Sequence, residues 1–271
     1  MNKFRFCITE AKNMANLEDV VRLLSEMIPP ELAEDWDNVG LMLGRNNKQV
    51  KRVLLALDLT QETVKQAIDK RADLIITHHP AIFRKLSRIT DKNWQQELLL
   101  ECAEHGIAVY SAHTNLDCVS GGVNDALVKA LNITDDEILD NESGLGRIGF
   151  VKKQSVNELA AFVKKALKAD YVAVGSAGKR VHKVAVCGGA GSDLIGIALA
   201  KGADTLITGD VKYHSAQEAV FNGMNIIDAG HQPTELPVLE VLADRLALRF
   251  AERSWHIDIR IASESLLLKH M

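Results

Sequence analysis

The sequence predicts an α/β fold made of two similar layered domains related by internal duplication, with a metal site in the cleft between them. Three observations lead there. Short apolar runs alternate with segments whose apolar residues recur at helical spacing, and the same alternation returns in the second half. "ADLIITHHP" aligns with "ADTLITGDV", and "GIAVYSAHTNLD" with "GMNIIDAGHQPTE", which brings the strand ends into register. The predicted domains are 1–130 and 131–271, with the closing helix and strand free to rejoin either sheet.

Element by element, "LEDVVRLLSEMIPPELAEDW" carries apolar positions at helical spacing and is stopped by Pro29-Pro30, so it reads as an opening amphipathic helix, and "DNVGLMLG" reads as a loop. "VKRVLLALDLT", "DLIITHHP" and "IAVYSAHTNLD" read as buried strands. "QETVKQAIDKRA" and "WQQELLLECAEHG" are the helices between them. Strands separated by helices require parallel pairing through right-handed crossovers. The acidic, turn-rich "LNITDDEILDNESGLGRIGFVKKQ" reads as a connection or edge excursion, followed by the helix "SVNELAAFVKKALKA". The second half continues with "VHKVAVCGGAGSD" (strand and glycine turn), "LIGIALAKGA" (helix), "DTLITGDVKYH" (strand), "SAQEAVFNG" (helix) and "MNIIDAGHQPTE" (strand into a polar loop). "LPVLEVLADRLALRF" is a closing helix, and "SWHIDIRIA" alternates like a strand.

Composition excludes several classes. With 47 % apolar and 25 % charged residues over 271 positions, the chain has the make-up of a globular protein, and no apolar run reaches the ~20 residues of a membrane span. The four cysteines are far apart with no C-x-x-C pair, which points away from a disulfide framework and toward a reducing cytoplasm. A net charge of −4, with no basic stripe interleaved with aromatics, argues against a nucleic-acid partner. Residues before Met14 are less patterned and read as a flexible or alternative start.

The chemistry gathers at the carboxyl ends of the predicted strands, where parallel sheets bind ligands. His78, His79, His113, Asp117, His231 and Glu235 all fall there. Adjacent residues of an extended chain project to opposite sides, so His78 and His79 are expected to reach two ions rather than chelate one. His113/Asp117 and His231/Glu235 are spaced i, i+4, and in a helical turn each pair shares a face. Imidazole and carboxylate together suit Zn, Fe, Mn, Co or Ni and do not separate them. Asp58 is read as a helix cap, with a site carboxylate as the alternative. Asp210 and His214, in "TGDVKYH", are either site-facing groups for proton transfer or substrate contact, or surface structure. "CGGAGSD" is either an anion cradle or a capped tight turn. Cys187 reads as buried filler, and His105, His182, His256 and His270 as structural or exposed.

"AEDWDNVGLMLG", "ITHHP", "HTNLD", "TGDVKYH" and "GHQPTE", in this order from about Asn16 to Ile259, resemble the YbgI-type, NIF-three-like family, often labelled GTP cyclohydrolase I type 2 homologues. The resemblance implies two α/β domains per subunit, two divalent metal ions in the cleft, and a toroidal homohexamer. It implies His78, His79, Asp117, His231 and Glu235 as ligands, with His113 beside them. The short connection between the halves is that of the compact form. The label implies hydrolysis of a small nucleotide-like substrate, GTP first among them, with a histidine such as His113 or His214 moving protons. The alternative is a non-catalytic metal-binding ring for storage, delivery or assembly.

Overall fold

In the computed structural model, which describes residues 14–266, the chain forms two sheets. Readings that fall on Cys7, on His270 and on the residues before Met14 lie outside the described residues. The first half contains α1 (Leu17–Met27), β1 (Gly40–Leu43), β2 (Arg52–Ala56), α2 (Gln61–Asp69), β3 (Leu74–Thr77), α3 (Trp94–Glu104), β4 (Ala108–Ser111), α4 (Thr114–Cys118) and α5 (Val123–Ala130). There follow β5 (Thr134–Ile138), β6 (Arg147–Gln154), α6 (Val156–Ala166), β7 (Ala173–Gly175), β8 (Val181–Ala190), α7 (Ile195–Ala200), β9 (Thr205–Gly209), α8 (Tyr213–Phe221), β10 (Asn225–Asp228), α9 (His231–Glu235), α10 (Pro237–Glu252) and β11 (Asp258–Ile261).

The sheet orders are β1-β4-β3-β2-β11 and β5-β6-β8-β9-β10-β7. Each holds a parallel triplet, β2-β3-β4 or β8-β9-β10, with an antiparallel strand beyond it, β1 on β4 and β7 on β10. Both faces of each sheet are covered at its centre, so the residues of β3, β4 and β9 are buried without a polar face. Val53, Leu55, Leu74 and Ile76 pack with α1 and α10, and Leu54, Ala56 and Ile75 pack on the opposite side with α2 and α3. Helix α5 serves both halves: Val123 and Ala126 join the first core, Leu127 and Val128 the second.

Two readings change, and one left open is resolved. "GLML" is a strand, because the Gly40 φ of +106° turns the preceding loop into register with Ser111 of β4. The acidic connection is a hairpin: β5 forms the edge and β6 runs eight residues between β5 and β8. Its charged composition hid a strand because all five β5 residues face solvent. The closing strand β11 joins the first sheet beside β2, and α10 contributes Val238, Leu242, Leu246 and Phe250 to the first core. Among the described residues, no helix is long and apolar enough to cross a membrane.

Candidate metal centre

The ends of β3 and β4 in one sheet and of β9 and β10 in the other place their loops against each other. The turn after β3 is built by hydroxyls: Thr77 Oγ1 donates to the His79 carbonyl at 2.8 Å, and Ser111 Oγ accepts from the Ala81 amide at 3.1 Å. This curls His78-His79-Pro80 so that both imidazoles converge, with ring centroids 4.9 Å apart. The expectation that they point to opposite sides is therefore corrected: the pleat ends at Thr77, and beyond it the turn sets the directions.

Glu235 receives them. His78 Nε2 lies 3.6 Å from its Oε1, His79 Nε2 3.2 Å from its Oε2, and His231 Nε2 3.1 Å from Oε1. His79 and His231 face each other Nε2 to Nε2 at 3.2 Å. Asp117 Oδ1 is 3.7 Å from His78 Nε2. Both five-residue helices, α4 and α9, supply the helical turn that the i, i+4 spacing requires. The groups form two sets of donors that share His79: His78, His79 and His113, and His79, His231 and Glu235.

Every histidine of the cluster uses Nδ1 outward and leaves Nε2 inward. His78 Nδ1 bonds the Ala112 carbonyl at 2.9 Å, and His79 Nδ1 bonds Asp58 Oδ1 at 2.9 Å. His113 Nδ1 bonds Asp37 Oδ1 at 3.0 Å, and His231 Nδ1 bonds Asp210 Oδ2 at 2.7 Å. A carbonyl or carboxylate behind each ring fixes the tautomer and raises Nε2 basicity, as metal-binding histidines require. Asp58 is thus a histidine partner and not the cap of α2, since Thr60 accepts from the Thr63 amide there. The Glu264 carboxylate in turn accepts from the amides of Leu57 and Asp58, at 2.7 and 3.0 Å.

Three buried side-chain atoms in this cluster lack a hydrogen-bond partner: His78 Nε2, Asp117 Oδ1 and Glu235 Oε2. Leaving such groups unpaired is costly, so their convergence fits a cation that would complete them. The electrostatics agree. Burial opposes protonation of His78, yet Asp117 and Glu235 hold its pKa above the usual value. His79, against the same burial, is raised to about 10 by Asp58 and Glu235. The hydrogen bond to Glu235 raises His231 to about 9. Burial favours a neutral Glu235, but the surrounding imidazoles hold it well below the carboxylate range. Burial lifts Asp117 to about 6. Protons here take the place that divalent cations would fill.

The glycine turn has a structural use. A Cβ on Gly189, whose φ is +64°, would meet Glu235 Oε1 at 2.4 Å, so only glycine lets β8 lie against that carboxylate. The amides of Gly188, Gly189 and Gly191 donate to Asn124, Thr234 and Thr208, which leaves no anion cradle. Cys187 is buried, with its thiol pushed up by desolvation.

Not every predicted group arrives. His214 is exposed on α8, with its ring 5.4 Å from Tyr213 and Nδ1 3.5 Å from Gln217, and takes no part in the cluster. The helix begins at Tyr213 and turns it away, so of the "TGDVKYH" groups Asp210 serves the site. His105, His182 and His256 also lie outside it. Asp37 and Glu264 carried no signal of spacing. Asp37 stands in the quoted "DWDNVG", but Glu264 is recognisable only once β11 has returned to β2.

The protein-family model Duf34/NIF3 (NGG1p interacting factor 3) matches residues 15–265. A Clostridium perfringens protein named GTP cyclohydrolase 1 type 2 homolog is 38 % identical over 240 residues, 86 % of this chain and 92 % of the relative. NIF3-like protein 1 of Drosophila melanogaster is 37 % identical over 242 residues, 85 % of this chain and 82 % of the relative. The crystal structure of a Bacillus cereus protein related to NIF3 superposes with a TM-score of 0.88 at 26 % identity, covering 95 % of this chain and 99 % of that one. With the match spanning both sheets and every residue of the cluster, the chain belongs to the DUF34/NIF3 family.

Proposed function

We propose that this protein is a metal-dependent hydrolase with a dinuclear centre. The observation that carries the reading is the convergence of the unpartnered His78 Nε2, Asp117 Oδ1 and Glu235 Oε2. His78, His79, His113, Asp117, His231 and Glu235 would hold the ions, within the two donor sets that share His79. When bound, such cations would lower the pKa of a water and polarise a substrate oxygen. The chain's own groups do the rest: Asp37, Asp58 and Asp210 hold three imidazoles in place, and buried Asp117 and Glu235 offset the cationic charge.

A cavity of about 290 Å³ opens on His79 and His231, walled by Ala169, Tyr171, Pro233 and Leu266, and gives a small substrate a place beside the cluster. A nucleotide is the first substrate class to try, in keeping with the names of the relatives. The test is elemental analysis of protein purified without chelator, followed by assays on GTP and a panel of phosphoesters and amides. About two ions per chain and turnover absent from the His79→Ala, Glu235→Ala variant are the expected results. Full metal occupancy with no turnover would instead favour metal storage or delivery.

A further inference from the structure

The loop leaving the histidine pair carries charge opposite to that of the cavity. Residues 84–92 hold four cations and one acid, in a chain of net charge −4. Lys92 lies 3.8 Å from Asp91. Arg84, Lys85 and Arg88 are exposed, and among the described residues none of the three makes an ion pair or hydrogen bond. The loop is nevertheless anchored at both ends. Asn38 Nδ2 donates to the Ile82 carbonyl at 2.5 Å, Gln95 Nε2 to the Ala81 carbonyl at 2.8 Å, and the Thr90 amide to Gln96 Oε1 at 3.1 Å.

Aromatic surface lies at the start of this loop. Phe83, the residue before Arg84, meets Trp36 edge to face at 6.0 Å, and the two rings stand 6.5 and 6.1 Å from the His113 imidazole. Trp36 is 60 % and Phe83 47 % exposed. Cations beside open aromatic faces suit phosphate next to a planar ring. "FRKLSRITDKNW" concentrates this positive charge in one segment of an acidic chain. The cavity on the other flank is bordered by Asp58, Asp170 and Asp210, and its lining offers no lysine or arginine to a phosphate.

We propose that Arg84, Lys85 and Arg88, with Trp36 and Phe83, form a subsite beside the histidine cluster for a phosphorylated ligand bearing a planar ring. The cations take the phosphoryl groups and the aromatic pair takes the ring. As a substrate subsite it rests on the hydrolase reading above; as a binding site it does not.

Full-length protein loaded with Mn²⁺ is titrated with ATP and, separately, with inorganic triphosphate, by calorimetry and tryptophan fluorescence at low and high salt. Metal content and oligomeric mass are measured in parallel. In the Arg84→Ser, Lys85→Ser, Arg88→Ser variant both ligands weaken by roughly ten-fold or more and lose salt dependence, at unchanged metal content. Trp36→Leu weakens ATP, removes its fluorescence quench and spares triphosphate. Equal affinities in wild type and triple variant would overturn the proposal. So would a change of oligomeric mass in the triple variant, which would make the loop a contact between copies. If wild type holds no metal while the triple variant still loses ATP, the subsite stands and the hydrolase reading falls.

Discussion

The two halves share a backbone and differ at its ends. Asp73 Oδ2 accepts from the amides of Lys51 and Arg52, and Asp204 Oδ2 accepts in the same way from His182 and Lys183. Gly106 and Gly223, both at positive φ, close the helices before β4 and β10. The Ala112 amide bonds the Thr77 carbonyl as the Ala229 amide bonds that of Thr208. With those anchors matched, His78 and His79 correspond to Gly209 and Asp210. One strand end supplies imidazoles; the other supplies close approach and an orienting carboxylate. A duplicated scaffold thus builds one site from unlike halves, because the strand ends are free to vary while the clasp beneath them is not.

Removing the residue on which both halves converge is expected to have the largest effect. Glu235→Ala leaves buried imidazoles without their counter-charge, which costs about 3–5 kcal/mol in the metal-free protein. Urea denaturation of chelated protein measures it, and elemental analysis should find bound metal lost. Wild-type stability and metal content in this variant would break the picture of a shared centre.

Gly209→Ala tests the asymmetry directly. Its Cβ would lie 2.6 Å from Gly230 C and from His231 N, backbone that cannot swing aside. A loss of about 1–3 kcal/mol is expected, with weaker metal binding on the His231 side. The equivalent position in the first half carries a full imidazole, so the effect depends on which half is changed.

Asp58→Asn and Asp210→Asn compare the partners behind His79 and His231. Each should lower metal affinity by about 10- to 100-fold, as outer partners of histidine ligands do. Asp58 is expected to matter more: its side chain is 35 % exposed against 56 % for Asp210, and water can replace the latter more readily. Competition with a chromogenic chelator ranks them.

A further effect is one of pH. His79 and His231 titrate in the folded, metal-free chain at about 10 and about 9, above the unfolded value near 6.5. Their stabilisation is complete below about pH 6.5 and is lost as pH rises through about 9 to 10. Metal uptake at pH 7 must therefore expel protons, and apparent affinity rises with pH. Calorimetry in two buffers of different ionisation enthalpy counts them; no proton release would contradict the protonated cluster.

Much of this was legible in the chain. The parallel triplets follow from apolar runs between helical segments, and the ligand types stand out because "HHP", "HTNLD" and "GHQPTE" each sit where a strand must end. His214 shows the limit: it shares its segment with Asp210, and only the start of α8 decides which of them faces the cluster. Strand β5 shows another, since a wholly exposed edge strand leaves no alternation to find.

By itself the sequence determined most of the elements, the duplication and the candidate ligand types, because hydrophobic periodicity and residue chemistry are local properties. Only the tertiary structure decided that β11 returns to β2 and brings Glu264 beneath Asp58, that His78 and His79 converge on one carboxylate, and that Asp37 stands behind His113. Those contacts join residues far apart in the chain, and which distant groups meet is settled by how two covered sheets pack, not by the pattern within either.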